Sequence, residues 1–219
     1  GGGIIAQGAS SLDNNVVLVK YDSSGNAQWA RTVTAGSGRS VFNSVSVASD
    51  GSVYAAGYVT GTGAYNFGNS KAVTGAFTGD NLVLVKYDSF GTAQWAQTAT
   101  AGMSASRFHS VSAAPDGSVY AAGYFTGTGT YNFGSGVTVA STFADDNLVL
   151  VKYDSTGPAQ WAQTAVGGNG GSVFNGVSVA PDNTVYGAGG ITGTGTYNFG
   201  SDVTAAGTYA NLYNIVLVK

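Results

Sequence analysis

The sequence repeats itself with a period of 66 residues, and this period constrains the fold more than any other feature. Close copies of the segment NLVLVKYDSTGPAQWAQTA occur at 15–33, 81–99 and 147–165, with a shortened copy at 214–219. Trp29, Trp95 and Trp161 hold corresponding positions in the three longer copies. A fixed period of this length is typical of folds that stack copies of one supersecondary unit, so we expect a tandem-repeat architecture.

Each period contains four segments with the pattern of β-strands, separated by turn residues. In one complete copy the predicted strands are Phe108–Ala114, Ser118–Thr126, Asn147–Tyr153 and Ala159–Ala165. Pro115, Asp116 and Gly117 form a tight-turn signal, because Pro presets φ, Asp bonds its local backbone and Gly accepts a positive φ. The pattern predicts a four-stranded antiparallel meander, and no segment shows helical periodicity.

The predicted strands differ in how they are expected to pack. Leu148–Val151, in the third strand, is apolar on both faces, so its sheet is expected to be covered on both sides. The first strand consists of small residues at 44–47, 110–113 and 176–179. Stacked four-stranded sheets with a crowded inner strand are typical of a β-propeller. The predicted fold is all-β, with propeller blades as units and with each Trp filling the gap to the next blade.

The period divides the chain into two complete blades and an incomplete blade at each end. The expected units are a partial blade at 1–40, complete blades at 41–106 and 107–172, and a partial blade at 173–219. Gly1 to Ser10 resembles a second strand, and Lys219 lies within a third strand. Such ends indicate a piece of a longer array, or a subunit whose open edges are completed by other copies.

Composition argues against several classes of function. A net charge of −3, with 8 Lys and Arg in total, provides no basic surface, so no nucleic acid partner is expected. No apolar run approaches the about 20 residues of a membrane helix, and no membrane span is predicted. The chain has no cysteine, which excludes disulfides. Its Gly-rich, Cys-free composition is typical of secreted or cell-surface bacterial proteins.

Two strings resemble the bacterial SBBP-type repeats of seven-bladed β-propellers. DGSVYAAGYFTGTGTYNFG at 116–134 is similar to that family's D-x-x-G-x-x-Y, G-Y-F-x-G-T and FG elements, and DNLVLVKYDSTGPAQWAQTA at 146–165 to its VAKYD-x-x-G-x-x-x-W-A segment. The match covers nearly the whole chain in at least three copies. The period exceeds the about 40 to 50 residues of common propeller repeats. The resemblance implies a secreted or surface-exposed propeller without enzymatic activity.

The long excursion between the second and third strands carries the first candidates for a ligand site. Aromatic faces stack on sugars and amides bond sugar hydroxyls, so a recurring Tyr-Asn-Phe segment favours a lectin-like surface. The alternative is that the segment forms a small hairpin whose rings pack against neighbouring sheets. The candidate residues are Tyr65, Asn66, Phe67, Tyr131, Asn132, Phe133, Tyr197, Asn198 and Phe199.

The connection from the fourth strand to the next unit is the most variable part of the repeat, and it carries further candidates. Arg39, Arg107 and His109 lie there and are hypothesised to contact a ligand. His109 stands where the other copies have Asn43 and Asn175, and it is the only histidine. A single histidine cannot build a triad or a histidine metal cluster, so a polar residue at a loop end is the simpler interpretation.

The sequence offers no clear equipment for catalysis or metal binding. Most Asp residues fall in recurring turns, and although Asp80, Asp145 and Asp146 supply oxygens, no D-x-D-x-D-G calcium loop is present. We therefore predict no enzyme activity, no catalytic residue, no metal and no cofactor.

The predicted function is that of a secreted or cell-surface structural or adhesive scaffold with multivalent contacts. A carbohydrate-binding propeller and a head-to-tail filament subunit are the alternatives. Expected partners are other copies of the chain or the rest of a longer chain, and glycans or surface proteins.

Overall fold

The computed structural model describes residues 3–11, 13–141 and 143–219, which form β-strands and no helix. In chain order the strands are β1 (Leu18–Tyr21), β2 (Ala27–Arg31), β3 (Ser40–Val47), β4 (Val53–Thr60), β5 (Ala64–Asn66), β6 (Ala72–Thr74), β7 (Asp80–Tyr87), β8 (Ala93–Thr98), β9 (Ser106–Ala113), β10 (Val119–Thr126), β11 (Gly129–Asn132), β12 (Thr138–Ser141), β13 (Asp146–Tyr153), β14 (Ala159–Gln163), β15 (Val166–Gly167), β16 (Ser172–Val179), β17 (Val185–Thr192), β18 (Thr196–Asn198), β19 (Thr204–Ala206) and β20 (Tyr213–Val218). The described ranges hold no helix with the length and hydropathy needed to cross a bilayer.

The longer strands form antiparallel sheets that share one strand order. The second sheet has the order β3-β4-β7-β8, and the third sheet has the order β9-β10-β13-β14. The fourth sheet contains β16, β17 and β20, and the first sheet contains β1 and β2. Short hairpins, β5–β6, β11–β12 and β18–β19, occupy the excursions. The predicted all-β class and its four-stranded antiparallel sheets are confirmed.

The prediction for the start of the chain is wrong. Residues 3–10 contain no strand, whereas Gly1 and Gly2 lie outside the described residues. Ile5 is 81% exposed, and β1 pairs with β2 alone among the described strands. Gly3 and Gly8 weaken a strand in this segment, because glycine has no side chain to pack and a high conformational entropy.

Side-chain hydroxyls connect the first strands of successive sheets. The main-chain N–H groups of Val111 and Ala113, in β9, donate to Ser44 Oγ at 3.2 Å and to Ser46 Oγ at 3.0 Å. The same bonds recur between the third and fourth sheets, from Val177 to Ser110 at 3.0 Å and from Val179 to Ser112 at 3.2 Å. An edge strand otherwise leaves such N–H groups unpaired. Small serine side chains are therefore needed both for close approach and as acceptors.

The hydrophobic core lies between the stacked sheets. Leu82, Leu84, Val149 and Val151, in the third strands of the two middle sheets, are completely buried. The expectation that these strands are covered on both faces is confirmed for the second sheet, where Val83 and Val85 are also completely buried. In the third sheet Leu150 is half-buried and lines an open cleft. In the fourth sheet the corresponding strand has one open face, where Ile215 is 95% exposed.

Each first strand contains a β-bulge at the same place. Phe108 pairs with Gly123 and Ser110 with Ala122, so His109 is an extra residue in β9. The corresponding bulges in β3 and β16 hold Asn43 and Asn175. A bulge bends a strand and redirects one side chain. The backbone approaches so closely that a Cβ atom on Gly123 would lie 1.9 Å from the Arg107 carbonyl oxygen.

Replacing the glycine opposite the bulge should destabilise the chain. We expect Gly123→Ala to lower the free energy of unfolding by about 2 to 3 kcal/mol, because backbone must move to admit the methyl group. Gly176→Ala is the control, since its nearest new contact would be Ala188 Cβ at 4.0 Å, and its effect should stay within about 0.5 kcal/mol. Urea unfolding followed by tryptophan fluorescence measures both. Equal effects would contradict the steric explanation.

Candidate functional site

The Tyr-Asn-Phe segments form the hairpins of the excursions, and most of their rings are buried. Tyr65 is completely buried, and the exposed fractions of Tyr131 and Tyr197 are 2% each. Phe67 and Phe133 are 1% exposed, whereas Phe199 is half-buried. The hairpin interpretation therefore describes these residues, and the rings of the tyrosines offer no open face on which a sugar could stack.

The tyrosine hydroxyls fasten the variable connections to the hairpins. The Tyr131 hydroxyl donates to the Ser104 carbonyl at 2.7 Å and accepts from the Ser104 N–H at 3.1 Å. The Tyr197 hydroxyl accepts from the Gly170 N–H at 2.9 Å, and the Tyr65 hydroxyl donates to the Thr60 carbonyl at 2.6 Å. Burial raises the pKa of Tyr131. The hydroxyls therefore remain neutral donors at physiological pH.

The asparagines of the same segments also have structural partners. The side-chain Oδ1 atoms of Asn66, Asn132 and Asn198 each accept a main-chain N–H two residues later, from a glycine, at 2.8 Å. Their main-chain groups bond the variable connection, as where the Thr34 N–H donates to the Asn66 carbonyl at 2.8 Å. The segment thus caps its own turn and anchors the connection beside it.

Two buried tyrosines provide a matched test of this anchoring role. Tyr131→Phe should lower the free energy of unfolding by about 1 to 3 kcal/mol, because the Ser104 main-chain groups lose their partner. Tyr153→Phe should be neutral or slightly stabilising, since the Tyr153 hydroxyl is buried without a hydrogen-bond partner in the described residues. Thermal and urea unfolding distinguish the two. A larger loss for Tyr153→Phe would contradict the anchoring role.

Tryptophan and lysine side chains of one sheet bind a turn of the next. Trp29 Nε1 and Lys20 Nζ both donate to the Ser89 carbonyl at 3.1 Å. Trp95 Nε1 and Lys86 Nζ donate to the Ser155 carbonyl at 3.1 and 3.0 Å. Trp29 and Trp95 are buried, with exposed fractions of 8% and 9%. These two tryptophans fill the gap between adjacent sheets, as the sequence analysis expected.

Arg107, a candidate from the sequence, forms an ion pair between sheets. Its Nε atom donates to Asp80 Oδ2 at 2.7 Å, and its NH2 group also contacts that oxygen. The guanidinium carbon lies 4.5 Å from the centre of the Tyr58 ring. Arg39 also lies near the same tyrosine, and a hydrogen bond to Tyr58 raises the pKa of Arg39. The structure thus brings the two arginines to one tyrosine.

His109 owes its position to the bulge in β9. Its Nδ1 atom lies 3.2 Å from Asn175 Oδ1, and its ring centre is 5.3 Å from that of Tyr124. Asn43, at the preceding bulge, donates from Nδ2 to the Phe108 carbonyl at 2.8 Å. His109 is therefore a contact between sheets and not a residue at a loop end. The sequence carries a signal for this bulge, namely an Asn or His that recurs at the same position of each first strand, together with a glycine that recurs in the second strand.

An open cleft of about 540 Å³ lies between the third and fourth sheets. It is lined by Arg107, His109, Tyr124, Asp146, Val173, Asn175, Gly189, Gly190, Tyr213, Asn214 and Ile215. Arg107 and His109 are ligand contacts predicted from the sequence, whereas Tyr124 and Tyr213 are additional lining residues. Burial raises the pKa of Asp146, an effect opposed by its hydrogen bond from Thr126.

The recurring aspartates hold turns, as the sequence predicted. Asp22 Oδ1 accepts the N–H groups of Ser24 at 3.0 Å and Asn26 at 2.9 Å. Asp154 Oδ1 accepts the Thr156 N–H at 2.7 Å and the Thr156 hydroxyl at 2.7 Å. The backbone bond from Asn26 holds the pKa of Asp22 below its usual range, and the hydroxyl bond from Thr156 does the same for Asp154.

These lowered pKa values predict a loss of stability in acid. The contribution of each turn is complete above the usual pKa of 3.8 and is lost as the pH falls through the lower value of the folded chain. We expect the melting temperature, followed by circular dichroism, to be steady from about pH 7 to 5 and to fall below about pH 4. Asp22→Asn combined with Asp154→Asn should make that fall shallower. An unchanged profile would assign the acid sensitivity to other groups.

Comparison with known proteins assigns no identity to these residues. No protein-family model matches the chain, and no curated protein matches it significantly. Within the described ranges, no three side chains of the types His and Asp cluster so as to hold a metal ion. The geometry supports contacts between sheets and a cleft between the third and fourth sheets that is lined by charged and aromatic side chains.

Proposed function

We propose that the chain is a non-catalytic, secreted or cell-surface scaffold of β-propeller blades that resemble SBBP-type repeats. Two features support the blade interpretation. The second and third sheets have the same four-stranded order, and the first strand of each later sheet packs against the sheet before it. The recurrence of most aspartates in turns supports a role without catalysis. Secretion is supported by composition.

The observation that carries an adhesive role is the anchoring of the variable connections. The hydroxyls of Tyr131 and Tyr197 bind main-chain groups of the connection in two units, and the Tyr65 hydroxyl binds the Thr60 carbonyl at the end of β4. Arg39 is exposed, Met103 is 78% exposed and Val166 is 57% exposed on these anchored segments. Loops held on a rigid scaffold are where proteins place binding residues. Similar contacts repeated along one side of the chain act together through avidity.

The adhesive role is tested by changing the exposed side chains one at a time. Beads coated with the chain are passed over mucin-coated and collagen-coated surfaces, and their retention is measured at increasing chain density. We expect retention to rise more steeply than linearly with density. Arg39→Ser, Met103→Ser and Val166→Ser should each weaken retention partly, and the triple variant should weaken it most.

Three outcomes would contradict that multivalent adhesive role. Retention on neither surface, or equal retention of the chain and the folded triple variant, would remove adhesion as the function. Complete loss from one substitution, with no effect of the other two, would indicate a single site. Melting temperatures of all variants show that the fold is intact.

A second candidate function is head-to-tail assembly, which the edge around Trp161 favours. Trp161 is half-buried, and its Nε1 atom has no hydrogen-bond acceptor among the described residues. It lines an apolar cleft of about 200 Å³ with Leu148, Leu150 and Phe199. Ser23, in the turn of the first sheet, corresponds to Ser89 and lacks a tryptophan donor in the same part of the chain. A further unit or a second copy supplies the turn that Trp161 lacks.

Sedimentation velocity tests whether that turn comes from a second copy. If it does, the 219-residue chain should form concentration-dependent polymers, and Trp161→Phe should weaken association by about tenfold through loss of the Nε1 hydrogen bond. Asp202→Asn, at an exposed turn, is the control and should have no effect. A chain that stays monomeric at all concentrations would show that copies do not assemble this way.

A further inference from the structure

The second and third sheets hold an internal example of cation binding. Arg107, from β9, enters the space between Asp80 and Tyr58 of the preceding sheet. Its Nε atom donates to Asp80 Oδ2 at 2.7 Å, and its guanidinium carbon is 4.5 Å from the Tyr58 ring centre. The other carboxylate oxygen of Asp80 accepts the Thr60 hydroxyl at 2.6 Å. One carboxylate and one ring thus hold one guanidinium, a pairing that proteins use for charged recognition.

An aspartate and a tyrosine recur at the corresponding positions of the next sheet, but no arginine accompanies them. Asp146 and Tyr124 occupy the positions of Asp80 and Tyr58, and Asp146 Oδ1 accepts the Thr126 hydroxyl at 2.9 Å. The residue that corresponds to Arg107 is Val173, whose side chain cannot donate a hydrogen bond. No donor among the described residues reaches Asp146 Oδ2. The open cleft of about 540 Å³ lies at this place.

Burial and charge also differ between the two positions. Tyr58, beneath Arg107, is 7% exposed, whereas Tyr124 is half-buried and has the cleft beside it. Arg107 lines the cleft, but its charge is already paired with Asp80. Asp146 adds a carboxylate that lines the cleft, and Asp145 precedes it in the chain. The local charge therefore favours a positive ligand.

We propose that this cleft binds a guanidinium group, held by Asp146 and Tyr124 as Asp80 and Tyr58 hold Arg107. Asp146 Oδ2 accepts from the guanidinium, and the Tyr124 ring lies beside its plane. The volume of the cleft is within the range of about 300 to 1,000 Å³ that is usual for small-ligand sites. The guanidinium comes from an arginine side chain of a partner protein or from a small guanidinium compound.

Titration calorimetry with N-acetyl-arginine methylamide tests the charge requirement. The matched probe is N-acetyl-citrulline methylamide, which has nearly the same shape but no charge. We expect the citrulline probe and the Asp146→Asn variant each to weaken binding by at least about tenfold, because the charge-assisted hydrogen bond is lost. Tyr124→Leu should weaken binding about threefold to tenfold through loss of the ring contact. Equal binding of the two probes, or no binding of either, would overturn the proposal.

Val173→Arg tests the internal comparison, because it places an arginine at the position that corresponds to Arg107. This variant should lose binding of the arginine probe by at least about tenfold and should melt at a higher temperature. Val41→Arg is the control, since the corresponding position in the first sheet is Asn14 and not an aspartate, and it should leave probe binding unchanged. Full probe binding to folded Val173→Arg would overturn the proposal. If the Val173→Arg variant does not fold, the binding measured with Asp146→Asn decides whether the proposal stands.

Two further probes distinguish the sources of the guanidinium. Methylguanidinium represents a small compound, and a peptide of five residues with a central arginine represents a partner protein. Tighter binding of the peptide by at least tenfold would assign the site to a protein segment, whereas equal binding would assign it to a small compound. Both results support a guanidinium site, and failure of both probes to compete with N-acetyl-arginine methylamide would contradict it.

Discussion

Hydrogen bonds from main-chain N–H groups to serine hydroxyls of the neighbouring sheet are the interaction on which the rest of the structure depends. The first strands β3, β9 and β16 each lie at one edge of their sheet, and in β9 and β16 this edge is closed by serines of the sheet before it. Each bond contributes only about 1 kcal/mol net, but an unpaired buried N–H group costs about 1 to 3 kcal/mol. Stacking is thus required for the strands themselves to be satisfied.

The serine contacts also determine where other side chains lie. Because the first strand approaches its neighbour closely, the apolar third strand behind it is covered on both faces in the second sheet. At the opposite edge Trp29 and Trp95 reach the turn of the next sheet. The tyrosine-anchored connections are then held at fixed places. Contacts between sheets therefore serve stability and also position the cleft between the third and fourth sheets.

Sequence patterns predicted what lies within one unit and little of what lies between units. Strand positions, turn aspartates and the alternative of a Tyr-Asn-Phe hairpin followed from local chemistry, as in the bond from Asn26 to Asp22. The strand predicted at Gly1 to Ser10 failed in its described part, where Gly3 and Gly8 weaken a strand. The bulge at His109 and the bonds to Ser44 and Ser46 needed knowledge of which residues face each other across sheets. The change from Arg107 to Val173 was visible in the sequence, but its meaning depends on Asp146 and Tyr124.

The constant sequence separation of the contacts between sheets has a consequence for how the protein can evolve. The bonds from β9 to β3 and from β16 to β9 all join residues 67 positions apart, and the tryptophan bonds join residues 60 apart. Successive units thus meet through the same serine bonds, and the tryptophan bonds recur likewise. Unequal recombination between such similar coding segments would add or remove a whole unit and leave the recurring bonds of the remaining junctions in place. Selection can therefore alter the length of the protein in steps of one unit, without first repairing an interface.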